Sequence, residues 1–465
     1  MRFKGTTIAA GLLAATALSL SGTALATNGY FTHGVGAESK GMAGTGIGSN
    51  ALNGPIIGAS NPALSNFSST NWEVGLSFFS PRRSYSASAS QANGNGGAFT
   101  VGEGSFDSSS EWFPIPYVGK NWRLQNDHTV AFLFYGRGGM NTDWDDGNAT
   151  AIFDPTGQGN PPVTLPGPFG GGNAGVDLSQ AFININYAGK SADGRFAWGI
   201  GPVFAIQAFE ATGVQTFAGF TETFASSIVS GGGPVPVENL SDNGHEISFG
   251  WGVAGGIWFA ASDTVGLGLS YQSKLSMSEF DDYADLFAEQ GGFDIPSSLK
   301  AGVSIQASAA LRVNLDVEHA AFSEVASVGN SLTNIAGCPT AGLGGTSLPN
   351  CLGGDAGAGF GWEDMTTYKI GFEWLSDERN TWRFGYSYGE QPIQSVDALF
   401  NILAPGVMEQ HFTFGLTHER PNGGAWTFSL MFAPENTVTG PNLFDPTQTL
   451  ELKMNQFEFE VAFLW

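Results

Sequence analysis

Residues 456–465, at the end of the chain, place aromatic and carboxylate side chains at alternate positions. The outward set is Phe457, Phe459, Val461, Phe463 and Trp465, and Glu458 and Glu460 belong to the other set. In an extended strand, alternate side chains point to opposite faces, so this strand separates an oily phase from a wet one. The pattern is typical of a soluble sandwich or of a transmembrane barrel, where the oily face contacts lipid and the polar face a lumen.

The N-terminus favours the barrel. Arg2 and Lys4 precede an apolar run, Ile8 to Leu20, and the small residues of 24–26 follow it. This order predicts a secretory signal peptide over residues 1–26, because the apolar run is too short to span a bilayer. The outward-facing aromatic Trp465, at the last position of the sequence, resembles the terminal signal that outer-membrane assembly machinery reads.

Strand-like runs recur in pairs from residue 71 onward. We count about fourteen, and their connections alternate between tight Asp/Asn/Gly turns and long loops of roughly fifteen to forty-five residues. The sequence therefore predicts an all-β fold, a transmembrane antiparallel β-barrel of about 14 strands over residues 71–465. Residues 27–70 are rich in glycine and show no sustained alternation.

Composition excludes several classes of function. With 18 Lys+Arg against 42 Asp+Glu, the net charge is −24, which would repel nucleic acid. The six histidines show no pair at metal-ligand spacing, and no phosphate-binding loop is present, so we predict neither a metal nor a cofactor. The two cysteines, Cys338 and Cys351, lie in one Gly/Pro/Asn-rich segment, and in an exported protein they are predicted to form a disulfide that closes a loop.

Several segments resemble the long-chain fatty-acid outer-membrane transporters, the FadL family. They are Gly34-Val35-Gly36, Gly41, Ala43-Gly44, Gly46, Ala59-Ser60-Asn61-Pro62-Ala63, Gly292-Phe293-Asp294-Ile295-Pro296 and Phe400-Asn401-Ile402-Leu403-Ala404-Pro405-Gly406. The resemblance covers residues 27–465 and departs at Trp465, where the family usually ends in Phe. It implies a fourteen-stranded barrel, an N-terminal plug (hatch) over residues 27–70, and passive uptake of hydrophobic molecules.

Two long loops carry apolar residues at helical spacing. The third loop has Phe217, Phe220, Phe224 and Ile228, and the fourth has Phe280, Tyr283 and Phe287. Each set would form one stripe on a helix. The two stripes either pack on each other as a small extracellular core or form a greasy groove where a substrate docks, as the corresponding loops of the family do. Both can hold at once.

The third strand ends in glycines, at Gly136, Gly138 and Gly139. Glycine in a strand weakens pairing and often marks a bulge or kink, although it also marks a plain strand end. The resemblance implies a kink that opens a side window facing the hatch around Asn61-Pro62-Ala63. Pro62 restricts Asn61 to extended conformations, which suits a segment that crosses such a window.

These features together predict a passive channel for hydrophobic small molecules in the outer membrane of a Gram-negative bacterium. We expect a monomer without catalytic residues, with outer-membrane lipids and lipopolysaccharide as its surroundings. An outer-membrane lipid hydrolase is one alternative, because residues 385–389 match the Gly-x-Ser-x-Gly pattern and His411 could partner Ser387, but no helix follows. A polar-solute porin is another, although the basic residues that its constriction needs are scarce.

Overall fold

The structure is a computed structural model that describes residues 28–152, 161–421 and 423–465. The predicted signal peptide, 1–26, and Thr27 lie outside the described residues. In the part of the chain that is described, no helix is both long enough and apolar enough to cross a membrane.

Fourteen antiparallel strands close into a barrel, which confirms the predicted fold class. The strands are β1 (Trp72–Ala87), β2 (Phe113–Arg123), β3 (His128–Trp144), β4 (Ala174–Lys190), β5 (Phe196–Thr212), β6 (Glu246–Ala260), β7 (Val265–Gln272), β8 (Ser298–Gln306), β9 (Leu311–Ala320), β10 (Met365–Leu375), β11 (Asn380–Gly389), β12 (Gln410–Glu419), β13 (Ala425–Asn442) and β14 (Asp445–Leu464). Each strand pairs with its neighbour in sequence, and β14 pairs with β1 from Glu73↔Leu464 to Ala87↔Leu450.

The remaining elements are short and lie mostly in the long loops and in the N-terminal segment. Further strands are Thr100–Val101, Gly104–Asp107, Asn148–Ala151, Val163–Pro166 and Ser276–Met277. The α-helices are Ala37–Lys40, Glu222–Val229, Ala288–Gly291 and Ala326–Gly329. The 3-10 helices are Pro55–Ala59, Pro62–Asn66, Asn95–Gly97, Gln215–Phe220, Asp281–Tyr283, Phe322–Glu324, Leu332–Gly337, Pro339–Ala341, Leu348–Asn350, Ser395–Asp397 and Phe400–Ile402.

Side chains alternate across the wall as the sequence predicts. On β14, the Phe457 side chain is 41% exposed on the outer face, whereas Glu458 and Glu460 are buried on the lumen side. The two ends of the barrel sequence meet where the Trp72 and Trp465 rings stack at 5.9 Å and their backbones exchange hydrogen bonds. The apolar belt therefore faces outward and the carboxylates face the lumen.

The last hairpin departs from the expected alternation of tight turns and long loops. β13 and β14 are 18 and 20 residues long and are joined through a two-residue connection, Leu443 and Phe444. The alternation of apolar and polar residues along β13 stops at Ala433, which is followed by a proline and polar residues. The strand instead continues, with an irregular register between Ala433 and Asn436. The alternation of side chains is interrupted there, but the pairing of β13 with β14 resumes at Asn436.

Residues 28–71, called here the N-terminal segment, lie within the barrel. The Lys40 ammonium pairs with the lumen carboxylates of Glu458 and Glu460 on β14. The Arg383 guanidinium on β11 pairs with Glu38 at 2.9 Å. These buried ion pairs connect the segment to the barrel wall.

Candidate functional site

An apolar cavity lies beneath the long loops, where both predicted stripes contribute to its lining. Its volume is about 30 Å³. The residues that line it are Val176, Phe209, Val214, Phe217, Leu240, Leu286, Phe287, Ser327, Leu352, Ala358, Gly359, Phe360, Phe400 and Leu403. The hydroxyl of Ser327, the one polar side chain in this set, donates to the carbonyl of Gly292. The lining therefore offers a solute apolar contact.

The third loop does not form the single helical stripe that the spacing predicts. A 3-10 helix ends at Phe220, and a separate α-helix begins at Glu222. Thr221 caps this second helix, because its Oγ1 accepts a hydrogen bond from the Phe224 N–H. Because the second helix begins separately, its residues do not continue the apolar face of the first helix. Phe217 and Phe224 are buried, whereas Ile228 is 38% exposed. Phe220 stacks on Phe444 at 5.6 Å.

The fourth loop also lacks a regular amphipathic helix. Glu289 and Gln290 adopt positive φ angles of 59° and 56°, which interrupt the helical turn. Phe280, Tyr283 and Phe287 instead surround Phe209 of β5, with ring centroids 5.5, 4.9 and 4.6 Å away. These three residues therefore form a packed cluster, and Phe287 alone among them lines the cavity.

The disulfide between Cys338 and Cys351 is present, as predicted. It lies in the loop between β9 and β10 and holds Leu352 against the third loop. The Leu352 N–H donates to the Phe220 carbonyl at 3.0 Å, and the Glu222 N–H donates to the Leu352 carbonyl at 2.8 Å. The crosslink thereby fixes one wall of the apolar cavity.

A carboxylate joins two of the loops that cover the cavity. Asp397, in the loop between β11 and β12, accepts hydrogen bonds from the Ser331 hydroxyl and the Leu332 N–H, both at 2.7 Å. Burial raises the pKa of Asp397, and these two hydrogen bonds oppose that shift. The roof over the cavity is thus tied by hydrogen bonds as well as by the disulfide.

The barrel wall is interrupted between β2 and β3. The two strands pair from Val118↔Phe134 to Arg123↔Thr129, and their register extends no further toward the long loops. Beyond that point, residues 113–117 pair with β1 and residues 135–144 pair with β4, but the two stretches do not pair with each other. This stretch without pairing between β2 and β3 is called the wall gap.

Two prolines explain why the pairing stops on the β2 side. The Asn121 N–H donates toward β1, to Asn71, and the Leu124 N–H donates toward β3, to His128. Because N–H groups alternate in direction along a strand, residues 114 and 116 would also donate toward β3. Both are proline and have no N–H to donate.

A β-bulge marks the other edge of the wall gap. The register between β3 and β4 shifts between Gly136↔Ala181 and Gly138↔Gln180, which leaves Arg137 as the extra residue. Before the bulge the odd-numbered side chains, such as Tyr135, face inward, and after it the even-numbered ones, such as Met140, do so. The glycines therefore mark a bulge inside a continuing strand and not the end of the strand.

The first described residues of the chain contact this bulge from inside. The Thr32 N–H donates to the Arg137 carbonyl at 2.8 Å, and the Gly139 N–H donates to the Tyr30 carbonyl at 3.1 Å. Phe31 forms a β-bridge with Gly138. The N-terminal segment thus adds a short strand to the edge of the wall gap.

Asn61, Pro62 and Ala63 lie elsewhere, so the expectation that they face the glycines of β3 is wrong. The Asn61 side chain donates to the Ile257 carbonyl on β6 at 3.2 Å and caps the next 3-10 helix by accepting from Ala63. Pro62 lies so close to β5 that a Cβ added at Gly199 would come within 2.4 Å of its carbonyl carbon. These close backbone contacts fix the motif at β5 and β6.

Two cavities flank the wall gap and share Asn141. The outer cavity has a volume of about 460 Å³ and is lined by Ser109, Ser110, Glu111, Trp112, Phe113, Asn141 and Asp177. The inner cavity has a volume of about 10 Å³ and is lined by Arg83, Met140, Asn141, Trp362, Ala404, Pro405 and Gly406. The Ser110 hydroxyl, which lines the outer cavity, donates a hydrogen bond to the side-chain oxygen of Asn141, which lines both cavities.

Sequence reasoning missed the residues that shape this region. Pro114 and Pro116 carried a readable signal, because a proline inside an alternating run removes a ladder hydrogen bond. No sequence signal identifies Arg83, because side chains that are remote in sequence determine whether an arginine forms an ion pair.

The serine–histidine pair of the hydrolase alternative lies on the wrong face of the wall. Ser387 Oγ is 3.0 Å from His411 Nδ1, and both side chains are fully buried on the lumen side. The His411 ring stacks on His33 of the N-terminal segment at 5.9 Å. A lipid hydrolase would need this pair on the lipid-facing surface. Within residues 28–152, 161–421 and 423–465, no group of His, Cys, Asp and Glu side chains could hold a metal ion.

Neither a family model nor a curated protein matches the sequence. Among solved structures, the fold is similar to the toluene transporter TodX of P. putida, with a TM-score of 0.60, 16% identity, and 93% of this chain and 98% of that chain covered. It is also similar to a Pseudomonas aeruginosa FadL homologue (TM-score 0.58, 14% identity, 93% and 99% covered). The Ralstonia pickettii toluene transporter TbuX is a third match (0.53, 15%, 92% and 98%). This chain has the fold of the FadL channels. At these identities the likeness extends to the fold alone.

Proposed function

We propose that this chain is a passive outer-membrane channel for hydrophobic small molecules. The observation that carries the proposal is the wall gap between β2 and β3, beside a lumen occupied by the N-terminal segment. A polar-solute porin needs a water-filled lumen, whereas the ion pair of Arg383 with Glu38 fixes the segment inside this one. Two of the similar solved structures are toluene transporters, which supports a hydrophobic cargo.

The proposed route avoids water at both ends. A solute binds first in the apolar cavity lined by Phe217 and Phe287, passes to the inner cavity, and leaves sideways through the wall gap into the bilayer. Burying each methylene group contributes about 0.8 kcal/mol, so lateral release into the bilayer is favoured over release into the aqueous periplasm. Phe220, Phe224, Phe280 and Tyr283 support the entry site by packing around it.

In this proposal the N-terminal segment acts as a plug that blocks the axial route. Gly136, Gly138 and Gly139 form one edge of the lateral gate. Asn61-Pro62-Ala63 anchor the plug at β5 and β6, away from the gate. The barrel is proposed to work as a monomer among outer-membrane lipids and lipopolysaccharide, after insertion by the assembly machinery.

Liposome uptake tests the proposal. Reconstituted protein should accelerate the uptake of labelled toluene and labelled dodecanoate, and the double variant Phe217→Ser, Phe287→Ser should slow both while the barrel keeps its heat-modifiable migration on gels. The matched control is Ile228→Ser, because Ile228 is 38% exposed and lies outside the cavity lining. If wild-type protein accelerates neither solute, the proposal is wrong.

A further inference from the structure

A row of aromatic rings crosses the outer face of the barrel where the first and last strands meet. The row consists of Trp72 on β1, Trp465 directly after β14, and Phe463 on β14. The Trp72 and Trp465 rings stack at 5.9 Å, and the Trp465 and Phe463 rings stack at 5.3 Å. These three residues, called here the aromatic row, therefore cover the junction at which β14 pairs with β1.

A cation lies at each end of the aromatic row. The Lys120 ammonium on β2 lies 4.7 Å from the centroid of the Trp72 ring and 5.6 Å from that of the Trp122 ring. At the other end, the guanidinium carbon of Arg420 lies 5.4 Å from the centroid of the Phe463 ring. Cations at such distances are attracted to the faces of the rings. The rings and the two cations thus form one contiguous surface on the outside of the barrel.

Neither cation has an ionic partner within the protein. Among the described residues, no carboxylate forms an ion pair with Lys120 or Arg420. Lys190, near the same end of the barrel, instead pairs with Asp127 at 3.4 Å. The charges of Lys120 and Arg420 are therefore available to an anion from outside the chain.

Lys120 projects from an apolar part of the outer wall. The adjacent Asn121 side chain points inward, where it donates to the Ser65 carbonyl of the N-terminal segment, so Lys120 points outward. The residues opposite Lys120 in the sheet are Trp72 on β1 and Phe132 on β3. The ammonium therefore has aromatic neighbours on both sides, and a counter-charge for it would come from the phase that surrounds the barrel.

The short connections locate this surface relative to the membrane. Residues 124–127 form the tight turn that follows Trp122 on β2, and Arg420 lies in the short connection between β12 and β13. Short turns of bacterial barrels lie on the periplasmic side, and aromatic belts lie at the level of the lipid headgroups. The leaflet on that side consists of phospholipids, whose phosphates are anionic. Basic side chains at a membrane surface attract such headgroups.

We propose that this surface binds anionic phospholipids of the periplasmic leaflet, with one lipid phosphate at Lys120 and another at Arg420. An ammonium offers three donors and a guanidinium offers a planar set of donors, and both suit phosphate oxygens. The rings between the two cations would contact the apolar part of each lipid next to its headgroup. Both positions lie on the outside of the barrel, so binding does not depend on the proposed channel function.

Lipid titrations test the proposal. The full-length barrel in a non-ionic detergent would be titrated with phosphatidylglycerol, and the bound lipids would be counted by native mass spectrometry. Phosphatidylcholine, which carries a phosphate but no net charge, should bind more weakly. Lys120→Met should weaken phosphatidylglycerol binding about fivefold, because one basic residue no longer contacts an anionic headgroup. Lys120→Arg, which keeps the charge, should bind the lipid as wild type does.

A paired lysine supplies the matched control. Lys190→Met should leave phosphatidylglycerol binding unchanged, because Lys190 already pairs with Asp127. Binding to the wild type should also weaken as the salt concentration rises, which tests the role of charge without any variant. Equal phosphatidylglycerol affinity in wild type, Lys120→Met and Arg420→Met would overturn the proposal. Equal affinity of the wild type for phosphatidylglycerol and phosphatidylcholine would overturn it as well.

Two further outcomes would assign the surface to another ligand and overturn the proposal. If inorganic phosphate displaces phosphatidylglycerol at constant ionic strength, the surface binds a free anion. If Lys120→Met slows insertion by the assembly machinery while phosphatidylglycerol affinity is unchanged, the surface is a docking site for that machinery. Toluene uptake into liposomes should be equal in wild type and Lys120→Met, so failure of the lipid site is distinguishable from failure of the channel function.

Discussion

The backbone N–H of Thr32 donates a hydrogen bond to the carbonyl oxygen of Arg137 at 2.8 Å. Arg137 is the extra residue of the β3 bulge, and its side chain turns inward to donate to Gln272 and Ser298. The bulge therefore lies at the edge of the wall gap and also binds the start of the N-terminal segment. Any movement of Tyr30, Phe31 or Thr32 would change the inner edge of the wall gap.

Restoring the missing N–H groups should close the wall gap. In the double variant Pro114→Thr, Pro116→Thr, two new donors point toward β3, and each new backbone hydrogen bond contributes about 1 kcal/mol. Solute uptake into liposomes should fall, and amide exchange in residues 135–140 should slow. Pro434→Thr on β13 is the control and should alter neither measurement. Unchanged exchange in residues 135–140 would show that the prolines do not cause the gap.

Added bulk at the bulge should obstruct the lateral gate. A Cβ added at Gly138 would lie 1.9 Å from the Gln180 side-chain oxygen and 3.3 Å from the Tyr30 ring. Gly138→Val should therefore reduce liposome transport of a long-chain hydrophobe strongly while binding in the loop cavity survives. Gly255→Val is the matched strand control, because the nearest atom to its Cβ would be 3.8 Å away. Normal transport in a folded Gly138→Val barrel would count against lateral release.

The barrel could be predicted from the sequence because its signal is local. Alternation along each strand depends only on period two, and Phe457 and Glu458 take opposite faces as that period requires. The pattern failed where a local irregularity intervened. The irregular register after Ala433 interrupts the alternation, although β13 continues beyond it. In the third loop, Thr221 caps a separate helix, so Ile228 does not share an apolar face with Phe217.

The parts that could not be predicted depend on distant contacts. The position of Asn61 at β6 is fixed by a hydrogen bond across 196 residues of sequence. Arg83 forms no ion pair with a carboxylate of the described residues, and this depends on the positions of side chains that are remote in sequence. The cysteines lie near each other in the chain, and their pairing was accordingly predictable.

Removal of the Arg383 side chain should release the N-terminal segment. Arg383 pairs with Glu38 and Glu373, both at 2.9 Å. Truncation of one partner of a buried ion pair costs about 3–5 kcal/mol because the remaining charge is uncompensated. Arg383→Met should lower the free energy of unfolding in urea by that amount and should expose residues 28–71 to protease. Arg379→Met, in an exposed turn, should do neither.

Loss of the disulfide should loosen the roof of the apolar cavity without affecting the barrel. The double variant Cys338→Ser, Cys351→Ser removes a crosslink with a sequence separation of 13 residues, and such crosslinks contribute about 3 kcal/mol. Amide exchange at Leu352 and Glu222 should accelerate, and hydrophobe binding should weaken. Exchange in β12 should be unchanged. Equal exchange at Leu352 in variant and wild type would show that the disulfide does not hold this contact.

The stabilising effect of His245 should depend on pH. Its ring nitrogens contact Asp177 and Glu210, both at 3.0 Å, where the third loop returns to the barrel. The hydrogen bond with Asp177 raises the pKa of His245, and partial burial opposes this shift. Because the folded-state pKa lies above the unfolded value of about 6.5, the stabilisation is fully present below about pH 6.5. It is lost as the pH rises through the folded-state pKa.

The measurement is the difference in thermal unfolding temperature between wild type and His245→Gln at pH 5.5 and pH 8.5. Wild type should exceed the variant more at the lower pH. The difference should be small and should shrink in high salt, because the His245 side chain is 43% exposed. His418→Gln is the control, since the His418 ring contacts the neutral Asn380 side chain at 2.8 Å. If the difference in unfolding temperature between wild type and His245→Gln is equal at both pH values, or larger at pH 8.5, the two carboxylates do not stabilise the protonated ring.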